Sequence, residues 1–174
     1  SDTFQADIRI EEENIALIGI DLDQTGAEVI DAEGKLIFPG GIDPHVHLDL
    51  PMFNTVSSDD HYTGHKAAAF GGTTTVMDFV EDRDSDLLKN LDTWHEMADP
   101  KAAIDFGFHL NITNFNSEVG AQIPDLVSAG VTTLKVFTAY NNRLRLQDGE
   151  IFQVLRIAAE HGMLTMLHAE NGDV

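Results

Sequence analysis

From Gly40 onward, strand-like apolar runs alternate with amphipathic segments, and this alternation limits the fold more than any other feature. "GGIDPHVHL" reads as a strand. "DDHYTGHKAAAFGG" reads as a short helix, started by Asp59 or Asp60 and stopped at Gly71 and Gly72. "TTTVMDFV" is β-branched and extended. "DSDLLKNLDTWHEMA" puts Leu87, Leu88, Leu91, Trp94 and Met97 at helical spacing. "AIDFGFHLNIT" predicts a strand, and "SEVGAQIPDLVSAG" a helix that Pro124 should begin with a turn or kink. "VTTLKVFTAY" predicts a strand, "DGEIFQVLRIAAEHG" a helix ending at Gly162, and "MLTMLHAEN" a final strand. Strict βαβ order predicts an α/β fold with a parallel sheet and right-handed crossovers. Both a doubly wound sheet and part of a barrel use such units. No glycine-rich phosphate fingerprint follows the first strand, which argues against nucleotide binding.

Residues 6 to 38 have a different rhythm. "ADIRIEEENIALIGID" alternates in part, and "TGAEVIDAEGKLIFPG" adds two short apolar runs around "EG". This predicts a small β unit over residues 1–38, with the α/β region over 39–174.

Composition narrows the function. With 43% hydrophobic residues the chain can bury a core. Thirty acidic against ten basic residues give a formal net charge of −20. Such a surface repels nucleic acid and anionic membranes, so neither is expected as a partner. No run approaches the ~20 apolar residues of a membrane helix. The opening "SDTFQADIRI" lacks the features of a signal peptide, and a cytoplasmic location is expected. There are no cysteines, which excludes disulfides and thiolate metal sites. The "EEE" of Glu11 to Glu13 has no calcium-loop spacing and reads as a solvated turn.

Four positions carry candidate chemistry. His45 and His47, at i and i+2 of a strand, share a face at the end where α/β proteins carry their sites. Two neutral imidazoles there suit a divalent cation such as zinc. Lys135 lies in the apolar strand "TTLKVFTA" with no acid beside it in sequence. Burial favours its neutral amine, which can add carbon dioxide to give a carbamate with two metal-bridging oxygens. The plainer reading is a lysine snorkelling to a strand end or paired with a distant acid. His168 stands near the exit of the last strand, before Glu170, Asn171 and Asp173. A lone histidine there is otherwise a hydrogen-bonded core residue. His61 and His65 have helical i, i+4 spacing without a supporting glutamate, and a bland reading is preferred. His95 and His161 read as helix-surface or helix-end residues, and His109 could face the site without a motif around it.

"GGIDPHVHLDLP", "AAAFGGTTTVMDF", "KVFTAYNNRLRLQDGE" and "HAENGD" together resemble the cyclic amidohydrolases, most closely the hydantoinase and dihydropyrimidinase branch. The resemblance covers essentially the whole chain. It implies a TIM-type (β/α)8 barrel, here about its first five strands, preceded by part of a small β-sandwich domain. It implies two divalent metal ions, usually zinc, bridged by a carboxylated lysine and a hydroxide. On matching positions His45 and His47 would hold one metal, Lys135 would be the carboxylated bridge, and His168 would bind the second. Tyr140 would donate to the oxyanion as a cyclic amide carbonyl of hydantoin or dihydropyrimidine type is attacked. Loops "DLPMFNT" and "NNRLRLQDG" would wall the pocket, with Leu144 against the ring substituent.

The resemblance also marks departures. A full barrel has eight strands and typically ~250 residues. The family's later histidine and aspartate ligands have no counterpart before Val174, so the sequence reads as a fragment that is inactive alone. Open barrel edges would favour a homo-oligomer. Allantoinase, dihydroorotase and a non-catalytic dihydropyrimidinase-like scaffold remain alternatives; scaffolds of that kind lack the ligands that this chain has.

Overall fold

The computed structural model describes residues 3–52 and 54–174. It divides into two compact units, Ser1–Pro39 and Gly40–Val174. In the first unit, β1 (Asp7–Glu11) pairs antiparallel with β2 (Asn14–Gly19). The turn between them places Glu12 at φ 55. The Asp7 carboxylate accepts the Leu22 amide at 3.2 Å and ties the following segment to the hairpin. The two further strands expected around "EG" do not form. A turn closes there instead, with the Lys35 amide donating to Ala32 at 3.0 Å. Val29, Ile30, Leu36 and Phe38 stay exposed, because the described residues of this unit offer these runs no sheet neighbour.

The second unit begins with β3 (Gly41–Asp43), followed by a short hairpin of β4 (Pro51–Met52) and β5 (Thr55–Val56) that the sequence reading took for loop. Then come α1 (His61–Phe70), β6 (Thr73–Val80), α2 (Leu87–Ala98), β7 (Asp105–Asn111), α3 (Ser117–Ser128), β8 (Thr133–Phe137), α4 (Asp148–Glu160) and β9 (Leu164–His168). Strands β3-β6-β7-β8-β9 form one sheet, every pair parallel. Spatial order follows chain order throughout. A doubly wound sheet reverses direction at a switch point, and this one never does. The unit is therefore a half-barrel.

Local chemistry sets the element ends. Asp60 caps α1 through the Thr63 amide and hydroxyl, Asp86 accepts from the Lys89 amide, and Asn116 accepts from Glu118 and Val119. After α4, Gly162 takes φ +69, a conformation that a β-carbon disfavours. As the helical reading of this segment had it, α3 runs through Pro124. Ile123 and Leu126 on either side are fully buried, and that packing outweighs the lost hydrogen bond.

Alternation along the strands separates two faces. Val80, Leu110, Leu134 and Val136 turn outward and pack with Leu91 and Trp94 of α2, Val119, Ile123 and Leu126 of α3, and Val154 and Ala158 of α4. Each such large side chain contributes roughly 1.5–3 kcal/mol by burial. The opposite face carries Phe79, His109, Lys135 and Phe137, placed side by side by the registers Phe79↔His109 and Phe137↔His168.

Candidate active site

The first site residues are not in a strand, as the sequence had suggested. Strand β3 stops at Asp43 because Pro44 has no amide to extend the ladder. One further bond, Val46 amide to Met77 carbonyl at 3.1 Å, holds the exit segment on β6. His45 and His47 still converge, edge to face, with ring centroids 5.2 Å apart.

Both rings rest on Phe79. Its centroid lies 4.5 Å from that of His45, 5.0 Å from His47 and 5.0 Å from His109. The Lys135 amine is 5.7 Å from the same ring and 5.5 Å from Phe137. Burial lowers the Lys135 pKa. Burial also lowers the His47 pKa, with smaller contributions from the neighbouring charges of His45 and Lys135. All these effects favour the neutral, lone-pair-bearing forms that bind metal or carbon dioxide. His109 Nε2 lies 3.0 Å from the Pro44 carbonyl, which only accepts, so Nε2 carries the proton. That leaves Nδ1 a bare acceptor, buried and unpartnered among the described residues, as is Asn111 Oδ1.

Phe137 gathers the second group. His168 stacks on it at 5.7 Å, and Tyr140 lies 5.1 Å from His168. His168 Nε2 meets the Glu170 carboxylate at 2.7 Å. Tyr140 holds φ 65, a left-handed conformation costing of order 1 kcal/mol for a side chain of its size. Its carbonyl accepts the Arg143 and Leu144 amides, which closes a turn and leaves Leu144 half-buried. Asn141 and Arg145 both reach Asp173, at 3.1 and 2.7 Å, and clamp this turn to the β9 exit.

Thus His45, His47 and Lys135 surround one phenyl ring, while Lys135, His168 and Tyr140 surround the next. Among the described residues no three histidine, cysteine or carboxylate side chains converge on one point. The donor set fits a divalent cation through the His45–His47 pair, with the Lys135 amine beside it.

The sequence reading missed a buried polar cluster on the other face of β6. Asp78, His61 and His65 are almost wholly enclosed. Burial pushes the Asp78 carboxyl up to about 7, against the opposing pull of hydrogen bonds from the Phe79 and Leu48 amides. Burial lowers both histidines. Nearby, Lys101 grips both oxygens of Asp49 at 2.9 Å. The available signal was an aspartate inside the apolar run "TTTVMDFV", facing helix positions 61 and 65.

Residues 36–174 match the model of the amidohydrolase family. The chain is 48% identical to a D-hydantoinase of Geobacillus stearothermophilus over 176 aligned residues, covering 100% of this chain and 37% of that protein. It is 35% identical to a dihydropyrimidinase of Rattus norvegicus, covering 97% of this chain and 34% of the relative. A D-hydantoinase crystal structure superposes with a TM-score of 0.96 at 49% identity, covering 100% of this chain and 38% of that one. A dihydropyrimidinase structure from Brevibacillus agri gives the same TM-score of 0.96 at 50% identity, with the same 100% and 38% coverage. The chain therefore spans little more than a third of the relatives it matches. With the half-barrel, its two ring-centred clusters and a family match across the whole α/β unit, the chain belongs to the amidohydrolase family.

Proposed function

We propose that this chain carries the N-terminal share of a hydrolase opening cyclic amides of hydantoin or dihydropyrimidine type. The observation that carries the reading is the gathering of His45, His47 and Lys135 around Phe79, with Tyr140 and His168 around the adjoining Phe137. Residues 1–38 are read as a share of a β-sandwich domain, and the antiparallel β1–β2 pair suits that role.

His45 and His47 would hold one divalent cation and His168 a second, zinc being the best match to imidazole donors. His168 would keep its Nε2–Glu170 bond and offer Nδ1 to the cation. The lone pair of Lys135 Nζ would form a bond to the carbon of carbon dioxide as one C=O π pair moves to oxygen and a nitrogen proton passes to solvent, and the resulting carbamate would offer anionic oxygens to the cations. Bound divalent ions supply an acidified water and stabilise negative charge. In ring opening a water oxygen adds to the amide carbon, the carbon–nitrogen bond breaks, and the ring nitrogen takes up a proton. Tyr140 would donate its phenolic proton in a hydrogen bond to the developing oxyanion, and Leu144 would meet the ring substituent. The bare strands β3 and β9 at the sheet edges are read as contacts for further chain or a second copy.

The test is ring opening of hydantoin and dihydrouracil, followed by loss of ring absorbance, by a polypeptide carrying this chain and supplied with zinc. Activity abolished by a chelator and by Lys135→Ala supports the reading. Preferential opening of allantoin or dihydroorotate would reassign the substrate. Absence of turnover by the full-length protein would refute the enzymatic role.

A further inference from the structure

The protons of the buried cluster behind Phe79 can be placed from its fixed ends. The Ala103 amide is a donor, and it lies 3.2 Å from His65 Nδ1, which must accept. Neutral His65 then carries its proton on Nε2, which faces His61 Nδ1 at 3.4 Å. His61 in turn carries its proton on Nε2, which points at Asp78 Oδ2 at 3.6 Å. Every donor is directed towards Asp78. Both Nδ1 lone pairs are engaged, so the i, i+4 histidine pair has none left for a cation, in keeping with its bland reading from sequence.

Asp78 uses the same two oxygens on the backbone of the site. Oδ2 accepts the Leu48 amide at 3.3 Å, immediately after His47. Oδ1 accepts the Phe79 amide at 2.7 Å, at the root of the ring that borders His45, His47, His109 and Lys135.

We infer that Asp78 is a positioning residue for the proposed cation site: it fixes the β3 exit through Leu48 and the aromatic platform through Phe79, while the one-way chain from Ala103 through His65 ends on a His61 donor 3.6 Å from its carboxylate, beyond hydrogen-bond length. This rests on the reading of His45 and His47 as cation ligands. An amide at position 78 cannot replace the carboxylate. With its oxygen on the Phe79 amide, its NH2 group faces the Leu48 and His61 protons, donor against donor. Reversing both imidazoles only moves the mismatch to the Ala103 amide.

The experiment combines histidine side-chain 15N NMR with cobalt(II) titration of the 174-residue chain. In the unaltered chain His61 and His65 should both appear as neutral Nε2–H tautomers at about pH 8.5, where Asp78 is ionised; an Nδ1–H or charged form at either overturns the inference without any variant. Asp78→Asn should weaken cobalt binding by about tenfold, the lower end for loss of an outer partner. Val80→Ala, a cavity on the same buried face of the same strand, should leave binding unchanged. Equal affinity in Asp78→Asn and the unaltered chain, or equal weakening by both variants, overturns the positioning role alone. If the unaltered chain takes up no cobalt at all, the cation reading falls and the positioning role falls with it.

Discussion

The amine of Lys135 sits 5.7 Å from the centre of the Phe79 ring and has a second phenyl ring, Phe137, at 5.5 Å. Aromatic faces attract a cation weakly, but they solvate it far less well than water does. The balance favours the free amine, as its lowered pKa shows.

The carbamate proposed at Lys135 can be tested directly. Incubation with 13C-bicarbonate is expected to produce one protein-bound carbamate resonance in 13C NMR, absent in Lys135→Met. The same variant removes a desolvated amine and keeps the hydrocarbon, so its urea midpoint should rise, by about 1 kcal/mol of stability.

His45 and His47 act as a pair in the proposed site. His45→Ala and His47→Ala should each weaken zinc binding, measured calorimetrically, by more than the about tenfold expected for an outer partner. Thermal stability should change little, because neither ring belongs to the main apolar core.

Acid sensitivity should be set on the helix side of β6. His61 and His65 have folded-state values below 6.5, so their contribution is present above pH 6.5 and is lost as pH falls. Asp78 runs the other way. Its value rises from 3.8 to about 7, so its contribution is present at acid pH and lost as pH climbs towards 7. Thermal midpoints should therefore fall between pH 7 and pH 5, and fall more steeply in Asp78→Asn, where the opposing group is gone. A flat profile in both chains would contradict this assignment.

The clamp of Arg145 and Asn141 on Asp173 predicts a local effect. Arg145→Ala should leave the thermal midpoint nearly unchanged, since the Asp173 end of the pair is largely solvated. Trypsin should nevertheless cut after Arg143 faster, because the turn is no longer tied to the β9 exit.

The βαβ alternation was legible because strands and helices keep distinct periods, and because the cap at Asp60 and the stop at Gly162 are local signals; periodicity left a doubly wound sheet open, and only the family resemblance pointed to a barrel. The runs around Glu33 and Gly34 misled because apolar alternation reports a tendency to pair, not the presence of a neighbour. The proximity of His45 to His47 was legible from two-residue spacing, although the strand that motivated it ends at Asp43, before Pro44. Asp78, His61 and His65 were not legible as a unit. Their link is a contact between β6 and α1, and period alone does not tell which polar residue on a helix turns inward.

Tyr140 occupies backbone territory where glycine or asparagine would be more comfortable. A protein engineer seeking a sturdier chain would put glycine there and gain stability at once, and would surrender the phenol beside His168 in the same step. Robustness and reactivity thus compete for a single position, and stabilisation screens run without an activity assay would drift towards the loss of that hydroxyl.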